Sequence, residues 1–341
     1  MCNLPVLNGT VREMIKIRPI ETCEEYRAAE RLQHVAWGQE DLDVVPDHLM
    51  ITMQKNGGPV LGAFQALPEE EPGEKPEEKN EQLIGFALGF AGLTPDGRLK
   101  HCSHMVGVAP GHQNRNVGYR LKLAQRELVA AQGIDLITWT FDPLESRNAR
   151  LNFHKLGATC NTYLRDIYGQ MRDELNVGLP SDRFQVDWHI ATDHVADRLR
   201  SDRADISFSA LQAEGIPILN HALPPSRYEG KQRGTFRHKG KQRGTFHYKG
   251  KQRAGDLPHP PDEILPLEGD RVLIEIPAHF QAIKSTDVGL ARAWRLHTRE
   301  LFETAFTAGY VVVDLVVVGG SHLHFEERRS YYLLKTDWTP R

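Results

Sequence analysis

The segment VGVAPGHQNRNVGYRLK, residues 106–122, has the side chains and spacing of an anion-binding turn. A strand ends at Val108, and the stretch QNRNVG then leads into a helix, so consecutive backbone N–H groups face outward. The first N–H groups of a helix, together with its dipole, favour negative charge such as a pyrophosphate. Gly118 lets the backbone approach a ligand closely, and Asn116 is a residue type that tolerates a left-handed conformation. Many α/β proteins share such a turn, so this pattern alone does not identify the ligand.

The strand before this turn carries a histidine that could accept a proton. Alternate side chains of a strand share a face, so Cys102 and His104 face one way and His101 and Ser103 the other. An imidazole with an ordinary pKa of about 6.5 can act as a base directly or through water. The competing interpretation of His104 is a structural histidine. Cys102 is the weaker alternative as a nucleophile, because no neighbouring motif lowers its pKa.

Other polar residues allow two interpretations each. Asp142 follows the last residue of a predicted strand, where it could orient a substrate amine or bind a helix terminus. Arg147 and Arg150 could pair with phosphates or form a solvated helix face. His322 and His324 lie on one face of a strand, as metal ligands can, but no further residues with ligand spacing surround them. We therefore expect no metal site.

The turn resembles motif A of the GNAT superfamily of acyl-CoA-dependent N-acyltransferases, V-x-P-x-x-[QR]-x-x-G-x-[GA], which cradles the pyrophosphate of coenzyme A. The matching residues are Val108, Pro110, Gln113 and Gly118, with Asn116 at the first motif glycine. Downstream, SRNARLNFHKLGA (residues 146–158) resembles motif B. Its counterparts there are Asn148, Phe153, Leu156 and Gly157, with His154 in place of the usual tyrosine. The resemblance covers about residues 15–190 and extends to a large bacterial and archaeal subgroup, some members of which are associated with N-acylation of amino acids.

The resemblance implies transfer of an acetyl or other short acyl group from acetyl-CoA or another acyl-CoA, as co-substrate, to the amine of a small molecule such as an amino acid. The residues it assigns to the cofactor are Val106, Val108, Gln113, Asn114, Arg115, Asn116, Val117, Gly118 and Asn148. In catalysis, the Val106 N–H would bind the thioester carbonyl, His104 would take the base role and His154 would protonate the thiolate. Family members commonly have a Glu base at the position of Cys102. Its absence makes a non-catalytic CoA-binding or regulatory module the first alternative.

Between residues 14 and 169, the predicted strands and helices follow the order β α α β β β α β α β. These elements position the residues named above. We expect an α/β (α+β) fold of the GNAT type, with a mixed, largely antiparallel sheet flanked by helices and a C-terminal α/β extension. The predicted strands include 59–66, 83–93, 101–109, 135–141 and 162–169, and the helix at 117–132 has an apolar stripe typical of packing on a sheet. The predicted domains are 12–200, a linker at 201–270 and a C-terminal α/β domain at 271–341.

Two segments interrupt this pattern. Residues 69–82 contain seven Glu, two Lys and two Pro with no apolar residue, which predicts a disordered loop at a hairpin turn. Residues 227–253 carry a basic decapeptide repeat, beginning with GKQRGTFRHK, in which ten Lys or Arg alternate with aromatic residues. Such composition is typical of single-stranded nucleic-acid binding, which is the second alternative function. We favour a solvated insertion, because a ten-residue unit with one Phe cannot form a packing core.

Length, charge and cysteine content limit the classes of protein to which the chain can belong. The chain of 341 residues is long enough for about two domains, and its 42 Lys and Arg against 45 Asp and Glu give a net charge of −3, so no global field gathers polyanions or membranes. Four cysteines without regular spacing predict a reduced, cytoplasmic compartment. No apolar run reaches the length of a membrane span or secretory signal. We expect a small-molecule amine as partner, with no membrane or nucleic acid, and the resemblance is compatible with a homodimer.

Overall fold

A computed structural model describes residues 15–37, 43–67, 81–169, 178–200, 202–223, 257–319 and 328–340, with the backbone of 233–235 and 245–247. The chain forms two compact units. The first holds the described residues of Met1–Ala91 and Ser103–Ala131, and the second those of Gly92–Cys102 and Gln132–Arg341. None of the helices in these ranges combines the length and apolar composition needed to cross a membrane.

The first unit packs three helices with strands of a sheet. Its elements are β1 (Ile15–Pro19), α1 (Cys23–Trp37), α2 (Asp47–Lys55), β2 (Val60–Ala66), β3 (Glu81–Leu93), the later part of β4 (Leu99–Val108), and α3 (Val117–Ala131). The pairs β1–β2 and β2–β3 are antiparallel, and β4 is the next neighbour of β3. The antiparallel pairing of β2 with β3 confirms the predicted hairpin.

Helix α1 begins at a cap formed by Thr22 and Glu25. The Thr22 Oγ1 atom accepts from the Glu25 N–H at 3.2 Å, and the Glu25 Oε2 atom accepts from the Thr22 N–H at 3.3 Å. This reciprocal arrangement satisfies backbone donors that the helix leaves without intrahelical partners. Arg18 on β1 binds Glu25 at 2.7 Å and Glu81 at 2.9 Å. The first contact ties the start of α1 to β1, and the second joins β1 to β3.

Helix α3 packs its apolar stripe on the sheet of the first unit. Val117 and Leu121 are buried in a cluster with Leu61, Ala63, Ile84 and Ala87, and Ala124 packs against it. The same cluster receives Val106 and Val108 from β4 as partly buried neighbours. The predicted stripe Val117, Leu121, Ala124, Leu128 and Ala131 packs on the sheet only over its first three members, because Leu128 and Ala131 are exposed. The packed part fixes the start of α3 relative to the end of β4.

The second unit contains most of the remaining sheet. Its strands, in spatial order after the first residues of β4, are β5 (Leu136–Phe141), β7 (Arg183–His189), β6 (Thr159–Leu164), β11 (Val311–Val318), β12 (Arg329–Lys335) and β10 (Arg271–Pro277). The pair β4–β5 is parallel, and every other pair whose register is defined within the described ranges is antiparallel. This confirms the predicted mixed, largely antiparallel sheet.

The helices of the second unit surround an aromatic core. They are α4 (Ser146–Ala149), which continues as a π-helical segment (Arg150–Lys155), α5 (Asp193–Leu199), α6 (Phe208–Ala213), α7 (Phe280–Thr286) and α8 (Val288–Thr307). The Phe184 ring on β7 lies 4.7 Å from that of Phe302 and 5.6 Å from that of Tyr332, as centroid distances. Helix α8 and strand β12 therefore share one core with β7.

Some predicted boundaries need correction. The predicted strand 162–169 lies at Thr159–Leu164 instead, because Asp166 turns the chain with a φ of 41° and its carboxylate accepts from the Ser181 N–H at 2.9 Å. The acidic segment is shorter than predicted, since Glu81 and Gln82 begin β3 and pair with β2. Its remaining residues 69–80 lie outside the described residues.

The C-terminal strands extend the sheet of the second unit, because β11 pairs with β6 at Val312↔Cys160. That residues 271–341 form a domain of their own, separated by a linker from a domain at 12–200, stays a prediction. Within the repeat, the described backbone forms a short antiparallel pair, β8 (Arg233–Thr235) with β9 (Thr245–His247). The other repeat residues, and His322 and His324, lie outside the described residues.

Candidate functional site

The turn between β4 and α3 in the first unit has a distinctive backbone. A 3₁₀ turn at Pro110–His112 follows β4, and Gln113 is extended with φ −64° and ψ 159°. Asn114 and Asn116 then both adopt left-handed conformations, with φ of 66° and 59°. The sequence predicted this conformation for Asn116 but missed it for Asn114. Alternation of left-handed and right-handed residues turns successive N–H groups toward one side and forms an anion-binding concavity.

The electrostatics of this turn favour an anion. The first turn of α3 contains no acidic residue. Asn114, Arg115 and Asn116 are exposed, and the first N–H groups of a helix have no intrahelical acceptor. The helix dipole adds a partial positive charge at the same end. A phosphate that approached the turn would meet N–H donors and a positive potential. No carboxylate in the first turn of α3 would repel it.

Gly118 is not explained by packing within the protein. A Cβ placed there would lie 3.9 Å from the Val108 Cγ2 atom, its nearest neighbour, which is an ordinary contact. Alanine in a helix is more stable than glycine by about 1 kcal/mol. The missing side chain therefore leaves room for something other than this chain, as the close approach of a phosphate group requires.

Strand β4 presents the faces that its alternation predicts. His101 and Ser103 are buried, whereas Cys102 is partly exposed and His104 is exposed. The His104 ring lies 5.9 Å from the Phe90 ring, and partial desolvation of the imidazole lowers the pKa of His104. Its imidazole is thus largely neutral at neutral pH, the form that accepts a proton. A catalytic role for His104 stays a prediction.

Strand β4 pairs with β5 over a short distance. Their parallel ladder consists of His101↔Ile137 and Cys102↔Thr138. Strand β4 continues to Val108, beyond this ladder. The Val106 N–H, assigned by the resemblance to the thioester carbonyl, lies in that later part of β4. Its function as a donor to a ligand stays a prediction.

Three polar residues of the motif B segment lie on the surface of the second unit. Arg147, Asn148 and Arg150 are exposed, and Ser146 is buried with its hydroxyl 2.6 Å from that of Ser330. The predicted glycine of the motif, Gly157, has a φ of 71°, and a Cβ there would lie 2.6 Å from Arg198. Gly157 is therefore required by the fold, whereas Asn148 is available to a ligand.

His154 lies in a buried ionic cluster and not on an open surface. Its Nδ1 atom is 3.1 Å from Oδ1 of Asp314, and its Nε2 atom is 3.1 Å from Oδ1 of Asp205. Asp314 also binds Arg198 at 2.6 Å, and Arg203 approaches the His154 Nε2 atom at 3.2 Å. In this arrangement both ring nitrogens have protein partners. The geometry thus favours a structural histidine over the thiolate acid that the sequence resemblance implied.

Asp142 is held by an arginine that the sequence did not single out. The Arg295 guanidinium binds both carboxylate oxygens, with the Nη1–Oδ1 distance at 2.6 Å. Burial disfavours the charge of Asp142, but the Arg295 cation outweighs it and keeps the pKa of Asp142 below its usual value. The Leu144 N–H also donates to the carboxylate, at 2.9 Å. Asp142 therefore organises the loop after β5, and both of its carboxylate oxygens accept from protein donors.

Glu145, in the same loop, was missed at the sequence level. The Gln281 Nε2 atom donates to its Oε1 atom at 2.5 Å. Burial and the charge of Asp142 raise the pKa of Glu145 from 4.5 to about 7. The available signal was a second carboxylate three residues after Asp142. Only folding brings Gln281 and Arg295 to that loop, so the sequence could not indicate the shift.

Comparisons with known proteins give matches at the level of structure only. No protein-family model matches the chain, and no curated protein matches its sequence. The chain is similar to the ribosomal-protein-S18-alanine N-acetyltransferase from Escherichia coli, at 15% identity and a TM-score of 0.36 over 52% of this chain and 94% of that one. It is similar to a GNAT-family acetyltransferase from Streptococcus pneumoniae, at 16% identity and a TM-score of 0.39 over 51% and 98%. The yncA protein from Salmonella typhimurium, solved with its cofactor acetyl-CoA, gives 17% identity and a TM-score of 0.37 over 56% and 98%.

Proposed function

We propose that this chain is an N-acyltransferase of the GNAT type, which transfers an acetyl or other short acyl group from acyl-CoA to the amine of a small molecule. The observation that carries the proposal is the turn from Gln113 to Gly118, where Asn114 and Asn116 are both left-handed and the following first turn of α3 contains no acidic residue. A pyrophosphate carries the charge and the acceptor oxygens that such a turn binds.

We assign the pyrophosphate, the thioester and the pantetheine arm of acyl-CoA to separate sets of residues. The amides of residues 113–118 would hold the pyrophosphate, with Gly118 leaving room for its approach. Val106 and Val108 would line the thioester, and the exposed amide side chain of Asn148 would contact the pantetheine arm. Acyl-CoA supplies the activated acyl group, and these residues bind and orient it. No metal has a part in this proposal.

In the proposed reaction the acyl group passes directly from the thioester to the amine. A neutral amine attacks the thioester carbonyl carbon and a C–N bond forms. The C–S bond then breaks with its electron pair on sulfur, and the nitrogen loses one proton to solvent. A backbone N–H such as that of Val106 would stabilise the oxyanion. Because both nitrogens of His154 have protein partners, solvent is the proton source that we assign to the thiolate.

The test of this function begins with cofactor binding. In Gly118→Asp, added bulk and a negative charge would face the pyrophosphate, and we expect calorimetric CoA affinity to fall at least about tenfold. Gly92→Asp is the matched control, since a Cβ at Gly92 meets only the Lys100 Cε atom at 4.0 Å. Unchanged CoA affinity in folded Gly118→Asp would show that the pyrophosphate site is wrong.

Turnover distinguishes an enzyme from a CoA-binding module. We expect thiol release from acetyl-CoA when the protein is supplied with a panel of amino acids and other primary amines. CoA binding without thiol release from acetyl-, propionyl- or succinyl-CoA with any amine would favour the non-catalytic module. Salt-dependent binding of single-stranded nucleic acid that disappears on deletion of residues 227–253 would favour the second alternative.

A further inference from the structure

The second unit contains the same arrangement of strands and helices twice. Strands β5, β6 and β7, with α4 after β5, form the first copy, and β10, β11 and β12, with α7 and α8 after β10, form the second. In each copy the strand that comes last in the chain lies between the other two and is antiparallel to both. Strands β6 and β11 each have a register irregularity against that middle strand, and they meet at Val312↔Cys160. The order β5-β7-β6-β11-β12-β10 therefore has corresponding strands at equal distances from its centre.

In both copies the first strand also has a parallel neighbour that precedes it in the chain. For β5 this neighbour is the start of β4, and for β10 it is Ile218, which bridges in parallel to Leu273. The Leu273 N–H donates to the Pro217 carbonyl at 2.8 Å, and the Leu219 N–H donates to the Leu273 carbonyl at 2.9 Å. Ligands of α/β sheets bind in a crevice outside the carboxyl ends of the strands. The carboxyl end of β10 is therefore a position where a ligand site is expected.

Side chains join residues 220–222 to the end of β10. The Asn220 Nδ2 atom donates to the Glu275 carbonyl at 2.9 Å, and its Oδ1 atom accepts from the Glu275 N–H at 2.7 Å. The Ala222 N–H donates to the Glu275 Oε2 atom at 2.8 Å. Ala222 lies four residues after the parallel bridge of the second copy, and Val106 lies four residues after the last ladder residue of β4. The N–H that corresponds to the proposed thioester donor is thus satisfied by a buried carboxylate, so we assign no acyl transfer to the second copy.

An open cleft lies at the carboxyl end of β10, and all of its lining residues belong to the second unit. Its floor consists of buried apolar side chains of α7 and α8. Pro258 and Ala278 are partly exposed and form an apolar rim. Arg328, which precedes β12, and Arg329, its first residue, line the same cleft. The cleft therefore combines apolar contact surface with two guanidinium groups.

The charges that line this cleft do not cancel. Arg329 binds the Glu275 Oε1 atom at 2.6 Å, and the other carboxylate oxygen lies 3.2 Å from the His221 Nδ1 atom. Within the described ranges, the Arg328 guanidinium has neither an ion-pair nor a hydrogen-bond partner. Burial and the Arg328 cation lower the pKa of His279, which also lines the cleft and stays largely neutral at pH 7. Two arginine cations thus stand against one carboxylate, which leaves one positive charge in excess.

We propose that this cleft binds a short-chain monocarboxylate, with its carboxylate on Arg328 and its alkyl part against Pro258 and Ala278. The inference lies beyond the proposed acyl transfer and does not depend on it. A guanidinium binds a carboxylate through two parallel hydrogen bonds. One excess cation matches one negative charge, and the nearby Glu275 disfavours the second charge of a phosphate. The apolar rim favours an alkyl group, and the small size of the cleft limits that group to a few carbons.

The experiment titrates the full chain with sodium acetate, propionate and butyrate at constant ionic strength, so that general screening by salt stays the same. Binding is followed by the NMR signals of the histidine rings, and the His279 signal is identified by its loss in His279→Gln. Because His279 lies in the same cleft as Arg328, an anion bound there changes its surroundings. We expect a saturable shift of this signal with butyrate and none with the neutral butyramide.

Variants of the cleft test which residues bind the carboxylate. Arg328→Gln removes the excess cation, and we expect butyrate affinity to fall at least about fivefold. Arg292→Gln, at an exposed arginine of α8, is the matched control and should bind butyrate like wild type. Ala278→Leu narrows the cleft without a change of charge and should also weaken binding. Urea unfolding shows whether each variant is folded.

The outcomes separate this site from the proposed function. The same butyrate affinity in folded Arg328→Gln, or no saturable shift with any of the three carboxylates, would overturn the site. Inorganic phosphate that binds more tightly than butyrate would overturn the choice of a monocarboxylate. The titrations contain no CoA, so failure of the acyltransferase proposal leaves this inference intact, and the reverse also holds.

Discussion

The Nδ1 atom of His154 lies 3.1 Å from the Oδ1 atom of Asp314, a carboxylate with no exposed surface. Asp314 stands in the middle of β11, where the sequence reads VVVDLVVV. Burial disfavours its charge, but the hydrogen bond from His154 and the Arg198 cation lower the pKa of Asp314 below its usual value. This pair ties the π-helical segment after α4 to β11 within the second unit.

The first prediction concerns His154→Phe. Loss of the imidazole leaves one oxygen of a buried carboxylate less well satisfied, which costs about 1–3 kcal/mol of the free energy of unfolding. We expect urea unfolding to show this loss, while His48→Phe, at an exposed histidine, changes stability little. If His154 instead protonates the thiolate, kcat falls by about tenfold or more in folded protein. A kcat within about threefold of wild type, with chemistry rate-limiting, would confirm the structural role.

The second prediction concerns Asp142→Asn. Arg295 is nearly fully buried, and removal of its carboxylate leaves an uncompensated charge, which costs about 3–5 kcal/mol. Because the pKa of Asp142 is lowered in the folded state, its contribution is complete above the ordinary value of 3.8 and is lost as pH falls through the folded value. Asp202→Asn breaks an exposed pair with Arg200 and should leave stability almost unchanged. Equal stability of the two variants would contradict this account.

The sequence predicts a structural feature when that feature depends on residues that are neighbours in the chain. The cap at Thr22, the first part of the α3 stripe and the left-handed Asn116 follow from neighbours in the chain, and the structure has these three features. Asp314, which binds His154, and Arg295, which binds Asp142, each lie more than 150 positions away in the chain. A pattern cannot show which distant side chain will meet them.

Because distant partners are not visible in a sequence pattern, the sequence also does not distinguish site residues from structural ones. Motif B predicts His154 at the place of a tyrosine, but the ionic cluster that engages it depends on Asp314 of β11 and on the loop with Arg203 and Asp205. Conversely, Glu145 looks unremarkable beside Ser146 in the sequence. Its raised pKa exists only because the fold buries it next to Asp142.

The third prediction concerns the pH dependence given by Glu25. Burial disfavours its charge, but Arg18 and two backbone N–H groups lower the pKa of Glu25 from 4.5 to about 2. The carboxylate therefore stabilises the fold above pH 4.5, and this contribution is lost as pH falls toward about 2. Glu25→Gln should reduce stability at pH 7 by about 1 kcal/mol, and the difference from wild type should shrink in that acidic window. The neighbouring exposed Glu24→Gln is the control, and a difference that stays constant with pH would contradict the assignment.

The last prediction tests the backbone of the anion-binding turn. Asn116 has a φ of 59°, where a β-branched residue is strained by about 1–2 kcal/mol and glycine is not. If the amides around Asn116 hold the pyrophosphate, Asn116→Val should weaken calorimetric CoA binding by about tenfold or more, because the turn relaxes away from the binding conformation. Asn116→Gly should retain affinity within about threefold. Asp337→Val imposes the same strain at another exposed left-handed residue, with a φ of 52°, in the second unit, and it should cost stability without changing CoA affinity. Wild-type affinity in folded Asn116→Val would show that CoA is not held by this turn.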